Sequence, residues 1–148
     1  MSEKTVCVIG YGEIPLSKRD YLKQELEREI STALEDGYRT FMAEYREGAG
    51  LLFIQCVHER RVECTDIFSE IVISQGCEQF DDELLSMCND VKLMWPKYQN
   101  TYPLGVTRYL IGNSSRVIAV FRKRGDYDTA YALDYARVMG RDFHIIQM

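Results

Sequence analysis

The chain has 148 residues, 46% hydrophobic and 28% charged, with a formal net charge of -5. A chain of that length and composition is expected to form one globular domain over residues 1–148, large enough for a real hydrophobic core. The acidic balance argues against a general nucleic-acid binder, because phosphate contacts need a concentrated positive field. No stretch approaches the apolar length of a membrane span, so no membrane partner is expected. The opening MSEKTVCVIG has no basic lead followed by an apolar region, which points to a cytoplasmic location.

Five cysteines, Cys7, Cys56, Cys64, Cys77 and Cys88, form an odd set without a CxxC pair. Their spacing fits neither a disulfide framework nor a zinc cluster, and buried thiols in a reducing compartment are expected. A nucleophilic cysteine needs an activating base. The two histidines are His58 and His144, and the spacing pairs neither with a particular cysteine. No metal and no cofactor is expected.

Thr5 to Ile9 is a short β-branched run ended by Gly10-Tyr11-Gly12, a strand and its turn. From Ser17 the pattern turns helical, with Leu22, Leu26, Ile30 and Leu34 on one face. Ser17 and Asp20 resemble a capping box, and Gly37 occupies the C′ position. Arg39 to Ala43 reads as a second strand, followed by a loop over Glu44 to Gly50 and a helix over Leu51 to Arg61. Ile67 to Ser74 supplies the third strand, and Asp81 and Asp82 open another helix. Val91 to Trp95 is the fourth, and Pro103 begins a short helix to Ile111.

Val117 to Phe121 is apolar throughout, as expected of a strand covered on both faces. Gly125 and Asp126 mark the next loop, Asp128 or Thr129 suits the cap of a helix running to Met139, and Gly140 ends it. Phe143 to Ile146 is the last strand. Strands alternate with helices and hairpin signals are absent, which predicts an α/β, Rossmann-like three-layer domain. Its sheet should be mainly parallel, with about five to six strands. Ligands meet such folds at the carboxyl ends of the strands.

The candidate site residues follow from that geometry. Gly10, Tyr11 and Gly12 make half of a dinucleotide fingerprint, whose third glycine would fall at Pro15; ordinary turn chemistry is the competing reading. Gly48 and Gly50 precede a helix and could form an anion nest, helped by Arg46 and opposed by Glu44 and Glu47. Arg108 could present a guanidinium to an anion and Tyr109 a ring to a base, unless they are an ion-paired Arg and a packed Tyr. Asp128 and Thr129 open the helix after the central strand, and Arg122-Lys123-Arg124 form a basic run before it. His58 reads as exposed on a helix, and His144 as a satisfied core or edge imidazole.

Several of these residues also carry a family likeness. Gly10 closes the first strand, Gly48 sits within EYREGAGLL, Arg108, Tyr109 and Ser114 precede an apolar strand in RYLIGNSSRVIAVF, and YDTAYALDYA holds Thr129, Tyr135 and Ala136. In these the chain resembles the SLOG superfamily of DprA/Smf- and LOG-like proteins, closest to its small bacterial YpsA-like branch. The resemblance implies a Rossmann-like fold and a nucleotide or nucleotide-derived ligand. The departures fall in the loops: a Gly-His-Arg turn becomes Gly10-Tyr11-Gly12, and a Gly-Gly pair becomes Tyr127-Asp128. The glutamate of LOG-type enzymes falls at Ala132.

The expectation is therefore a non-catalytic binding or sensing domain for a nucleotide-like small molecule, with no catalytic residue assigned. The alternatives are a degenerate relative whose cleft is filled by Tyr127 and other side chains, serving an interaction or structural role, and a LOG-type hydrolase using Asp128 or Asp134. A homodimer through an exposed helix or edge strand is compatible with the fold class and has no signature in the sequence.

Overall fold

Runs such as Val6–Ile9 and Val117–Val120 have no polar side chain to turn toward solvent, so both faces need cover. In the computed structural model, which describes residues 4–10, 14–73, 81–94, 104–122 and 126–148, both runs are central strands. The strands are β1 (Thr5–Gly10), β2 (Thr40–Glu44), β3 (Phe68–Ile73), β4 (Asp90–Leu93), β5 (Arg116–Phe121) and β6 (Asp142–Gln147). The helices are α1 (Leu16–Glu35), α2 (Ala49–Arg61), α3 (Asp82–Met87), α4 (Leu104–Gly112) and α5 (Tyr127–Val138).

All pairings are parallel, in the order β4-β3-β2-β1-β5-β6. This is the expected Rossmann-like α/β arrangement, with six strands in one sheet. The chain steps outward from β1 to β4 and then returns to lay β5 on the other side of β1. The order thus reverses between β1 and β5, and a crevice opens there at their carboxyl ends. One face of the sheet, with Val8, Phe41, Ile71 and Ile118, packs against α1, α2 and Leu84 of α3. The other, with Ile9, Met42, Val117 and Ala119, packs against α4 and α5.

Helix ends explain several differences from the sequence reading. Gly37 and Gly140 do serve as C′ residues, with φ of 93° and 72°. Tyr38 N–H bonds to the Ala33 carbonyl and Arg141 N–H to that of Ala136, both at 2.9 Å. The Ser17–Asp20 capping box does not form. Pro15, with φ -57°, leads directly into α1 at Leu16 and leaves Ser17 inside the first turn, where it caps nothing. The cap of α5 is neither Asp128 nor Thr129 but Asp126. Its carboxylate accepts from Thr129 N–H at 3.3 Å and from Arg122 N–H at 3.1 Å, tying the start of α5 to the end of β5. β4 begins one residue earlier than expected, and Trp95 and Pro103 lie outside the described residues.

α2 starts at Ala49, two residues before the expected Leu51. Gly48 is its N-cap at φ 98°, and Gly50 lies within its first turn. A Cβ on Gly50 would come 2.4 Å from the Glu44 carbonyl oxygen, so this glycine lets the helix sit against the end of β2. Because the obstructing atom is backbone, a side-chain rotation cannot relieve it. Gly50→Ala is expected to lower stability by about 1–3 kcal/mol, the usual cost of overpacking, read as a lower midpoint in urea denaturation. An unchanged midpoint would mean that α2 does not rest on Glu44.

Candidate functional site

At the crevice, three segments far apart in sequence converge. Val8, Ile9 and Gly10 from β1, Glu44, Arg46, Glu47 and Gly50 around the start of α2, and Asp128, Thr129 and Ala132 from α5 line a common cleft, closed on one side by Thr107 and Leu110 of α4. Its floor is apolar and its rim polar. The free volume is about 40 Å³, room for a water or so.

Two helices point their amino ends into this cleft, each bringing backbone N–H groups without intrahelical partners and a partial positive charge. The ends are not alike. α5 is capped by Asp126 and carries Asp128 in its first turn, so its positive end is already matched by carboxylate. α2 has neither a side-chain cap nor an acid in its first turn. Arg46 stands beside that end, together with Glu47 and, at the end of β2, Glu44. The lining therefore sets three carboxylates against one guanidinium, with Arg46 and the uncapped helix end both at α2.

Among the sequence candidates, Gly10, Asp128 and Thr129 reach the cleft. Gly48 borders an adjoining open hollow shared with Glu47, Arg19 and Ile14. Tyr11 and Gly12 lie outside the described residues, as do Lys123 and Arg124 of the basic run. Arg108 and Tyr109 are not in the lining. The Arg108 guanidinium donates to the Tyr131 hydroxyl through Nε (2.9 Å) and Nη2 (2.6 Å), and lies 5.8 Å from the ring centres of Tyr131 and Tyr135. Tyr109 turns to the outer strands, where its hydroxyl donates to Glu70 at 3.1 Å and its ring sits 5.3 Å from Lys92 Nζ. The α4 residue that faces the cleft is Thr107, one position before Arg108. Sequence spacing placed that helix correctly without revealing its rotation. Tyr127 is 82% exposed and does not line the cleft.

No family model matches the chain, and no curated protein matches it. Among solved structures it is similar to the X-ray structure of TM1055, a structural genomics target, with a TM-score of 0.61 at 17% identity. The match covers 95% of this chain and 72% of that one. The likeness is one of fold, consistent with the Rossmann-like arrangement above.

A second polar group, missed at the level of sequence, lies on the opposite sheet face. His58 is half-buried rather than exposed: its Nε2 is 3.3 Å from Ser69 Oγ and 3.8 Å from Cys88 Sγ, while Asn89 Oδ1 accepts from Ser69 N–H at 2.8 Å. Burial pushes the Cys88 thiol up and, with Arg61, pulls the His58 imidazole down, so both favour their neutral forms. A thiolate–imidazolium pair is the reverse of what these surroundings favour, and the cluster acts as a polar joint between α2, β3 and the turn into β4. Cys7 and Cys56 are buried, with their thiols raised to about 12, chiefly by burial. His144 Nδ1 is 2.7 Å from Glu29 Oε1, the satisfied imidazole expected near the sheet edge. Among the described residues no group of three or more His, Cys, Asp or Glu side chains could hold a metal ion, and no helix is long and apolar enough to cross a membrane.

The depressed His58 pKa has a definite sign in stability. The unfolded imidazole takes up its proton near pH 6.5 and the folded one only at lower pH. Its contribution is present above pH 6.5 and is lost as pH falls through the folded value. The melting temperature should therefore drop on acidification from pH 7 toward pH 5, with a shallower drop in His58→Gln. Parallel melting curves for the two proteins would remove His58 as a source of the dependence.

Proposed function

We propose that the chain is a non-catalytic binding or sensing domain for a small nucleotide-derived molecule, held in the cleft between β1 and β5. The observation that carries this is the cleft's polarity: an uncapped helix end with Arg46 on the α2 side, and Asp128 with Thr129 on the α5 side. A nucleoside monophosphate has both complements, an anion for the first and ribose hydroxyls that donate to a carboxylate for the second. Glu44 and Glu47 add negative charge, which penalises a polyphosphate more than a single phosphate or a neutral nucleoside. Gly10, Gly48, Asp128 and Thr129 are the residues assigned to the site. Membership of the SLOG superfamily would fit the same reading.

Catalysis of the LOG type is disfavoured by the residues present. Ala132 lines the cleft at the position of that family's glutamate, and its methyl can neither stabilise an oxocarbenium ion nor activate water. A second reading rests on the free volume of about 40 Å³, far below the ~300 Å³ or more of ordinary ligand pockets. On that reading the cleft is filled and the role is structural or interactive, although Tyr127 is not what fills it.

Calorimetric titration and thermal shift with adenosine, AMP, ADP-ribose and ATP separate the two. Binding is expected for adenosine or AMP and weaker for ATP, and ligand at a hundred times Kd should raise melting by roughly 5–10 °C. Asp128→Asn should weaken AMP binding tenfold or more, about 1.4 kcal/mol. Arg108→Ala, whose guanidinium faces Tyr131, should change affinity less than twofold. If none of these compounds binds, the filled-cleft reading stands.

A further inference from the structure

β4 ends the sheet, and among the described residues no strand pairs with its outer side. All four of its residues are exposed. Val91 and Leu93 are paired in register with buried Ile71 and Ile73 of β3, yet are 39% and 49% exposed. On the other face Asp90 is the register partner of Glu70, so two carboxylates lie side by side. An edge of this kind offers a row of main-chain donors and acceptors to a further strand.

The backbone phase of that edge is determined. Met94 N–H, just past the strand, donates inward to the Ile73 carbonyl. Main-chain groups alternate along a strand, so those of Lys92 also face β3 and those of Val91 and Leu93 face outward. An antiparallel strand pairs fully only where outward-facing residues stand opposite each other. For a second copy of β4 related by a two-fold axis, three registers satisfy this. Centring on Lys92 sets Lys92 against itself, and like charges directly opposite are unfavourable; centring on Leu93 sets Lys92 against Met94, which offers it no opposite charge. Centring on Val91 sets Asp90 of each copy against Lys92 of the other.

We propose that two copies of this chain associate through their β4 edges, antiparallel and centred on Val91, joining their sheets into one. Each Asp90–Lys92 pair is then a close, non-hydrogen-bonded pair, with Cα atoms about 4.5 Å apart, and brings opposite charges together. The two Val91 residues exchange both of their main-chain hydrogen bonds across the axis, and each covers the other's exposed side chain. The row Glu70–Asp90 gains a cation at its outer end. In the single chain, burial and the charge of Asp90 push the Glu70 carboxyl up, while the hydrogen bond from Tyr109 and the nearby Lys92 oppose the rise. An edge this short buries less than the about 1,200–2,000 Å² of a stable interface, so the dimer is reversible.

Sedimentation equilibrium with a charge exchange tests this. The wild-type mass should rise from 17.2 kDa toward twice that value between roughly 10 μM and 1 mM, the range of weak complexes. Lys92→Asp and Asp90→Lys each put like charges opposite one another and should be monomeric alone, with melting curves that show folded protein. Mixed in equal amounts they restore both opposite-charge pairs and should form a mixed dimer, a recovery that misfolded variants would not give. A wild type that stays monomeric throughout overturns the proposal and leaves the edge to an extended segment of another protein. A dimer indifferent to either variant overturns the β4 assignment, and monomeric variants that do not recover on mixing overturn the register.

Discussion

The carboxyl end of β1 meets β5 and α2 so closely that a Cβ on Gly10 would fall 2.8 Å from both the Cβ and the carbonyl oxygen of Val120, and 3.3 Å from Ala49 Cβ. Gly50 does the same for α2 and the end of β2. These two missing side chains bring two strand ends and a helix start together, and the cleft is the space left above them. A larger residue at either place would move α2 away from the sheet, and with it the Gly48 turn and Arg46. The same closeness accounts for the small free volume, since backbone fills much of what side-chain removal opens.

Electrostatics then decides what that space can accept. Two helix amino ends in one crevice would ordinarily make a strong anion site. Asp126 and Asp128 match one of them, and Glu44 and Glu47 lie close to the other. What remains is a graded cleft, less negative toward α2 and Arg46 and more so toward Asp128. Polarity of that kind favours a ligand with unlike ends over a highly charged one.

The architecture was legible because burial is written in the strands: a run with no polar residue, such as Val117–Val120, has few places to go other than the middle of a parallel sheet. Gly37 and Gly140 were legible for a similar reason, since each follows a helical pattern where a left-handed residue is needed. Helix starts were less so. Ser17, Asp128 and Thr129 all have capping chemistry, yet the preceding Pro15 and Asp126 began the helices earlier. Site residues suffered most. Arg108 and Tyr109 lie on the expected helix, but its rotation depends on Val106, Leu110 and Ile111 reaching the core, and that rotation turns Thr107 to the cleft. The His58–Ser69–Cys88 group joins residues from a helix, a strand and a turn, and no spacing along one chain encodes such a meeting.

The two ends of the sheet are stabilised by opposite means. At the amino end Arg116 of β5 is buried, with its guanidinium 2.8 Å from Asp36 after α1, 2.9 Å from Asp142 of β6, and over the Tyr38 ring at 4.6 Å. One cation there joins the end of a helix, the start of an edge strand and the approach to β2. Removing either carboxylate would leave the buried guanidinium less compensated, which is destabilising. At the carboxyl end the close backbone packing around Gly10 and Gly50 and the Asp126 cap of α5 hold the elements together. A buried charge thus organises the end where the strands begin, and close packing the end where they meet the cleft. That division lets the cleft side chains vary without loosening the sheet that carries them.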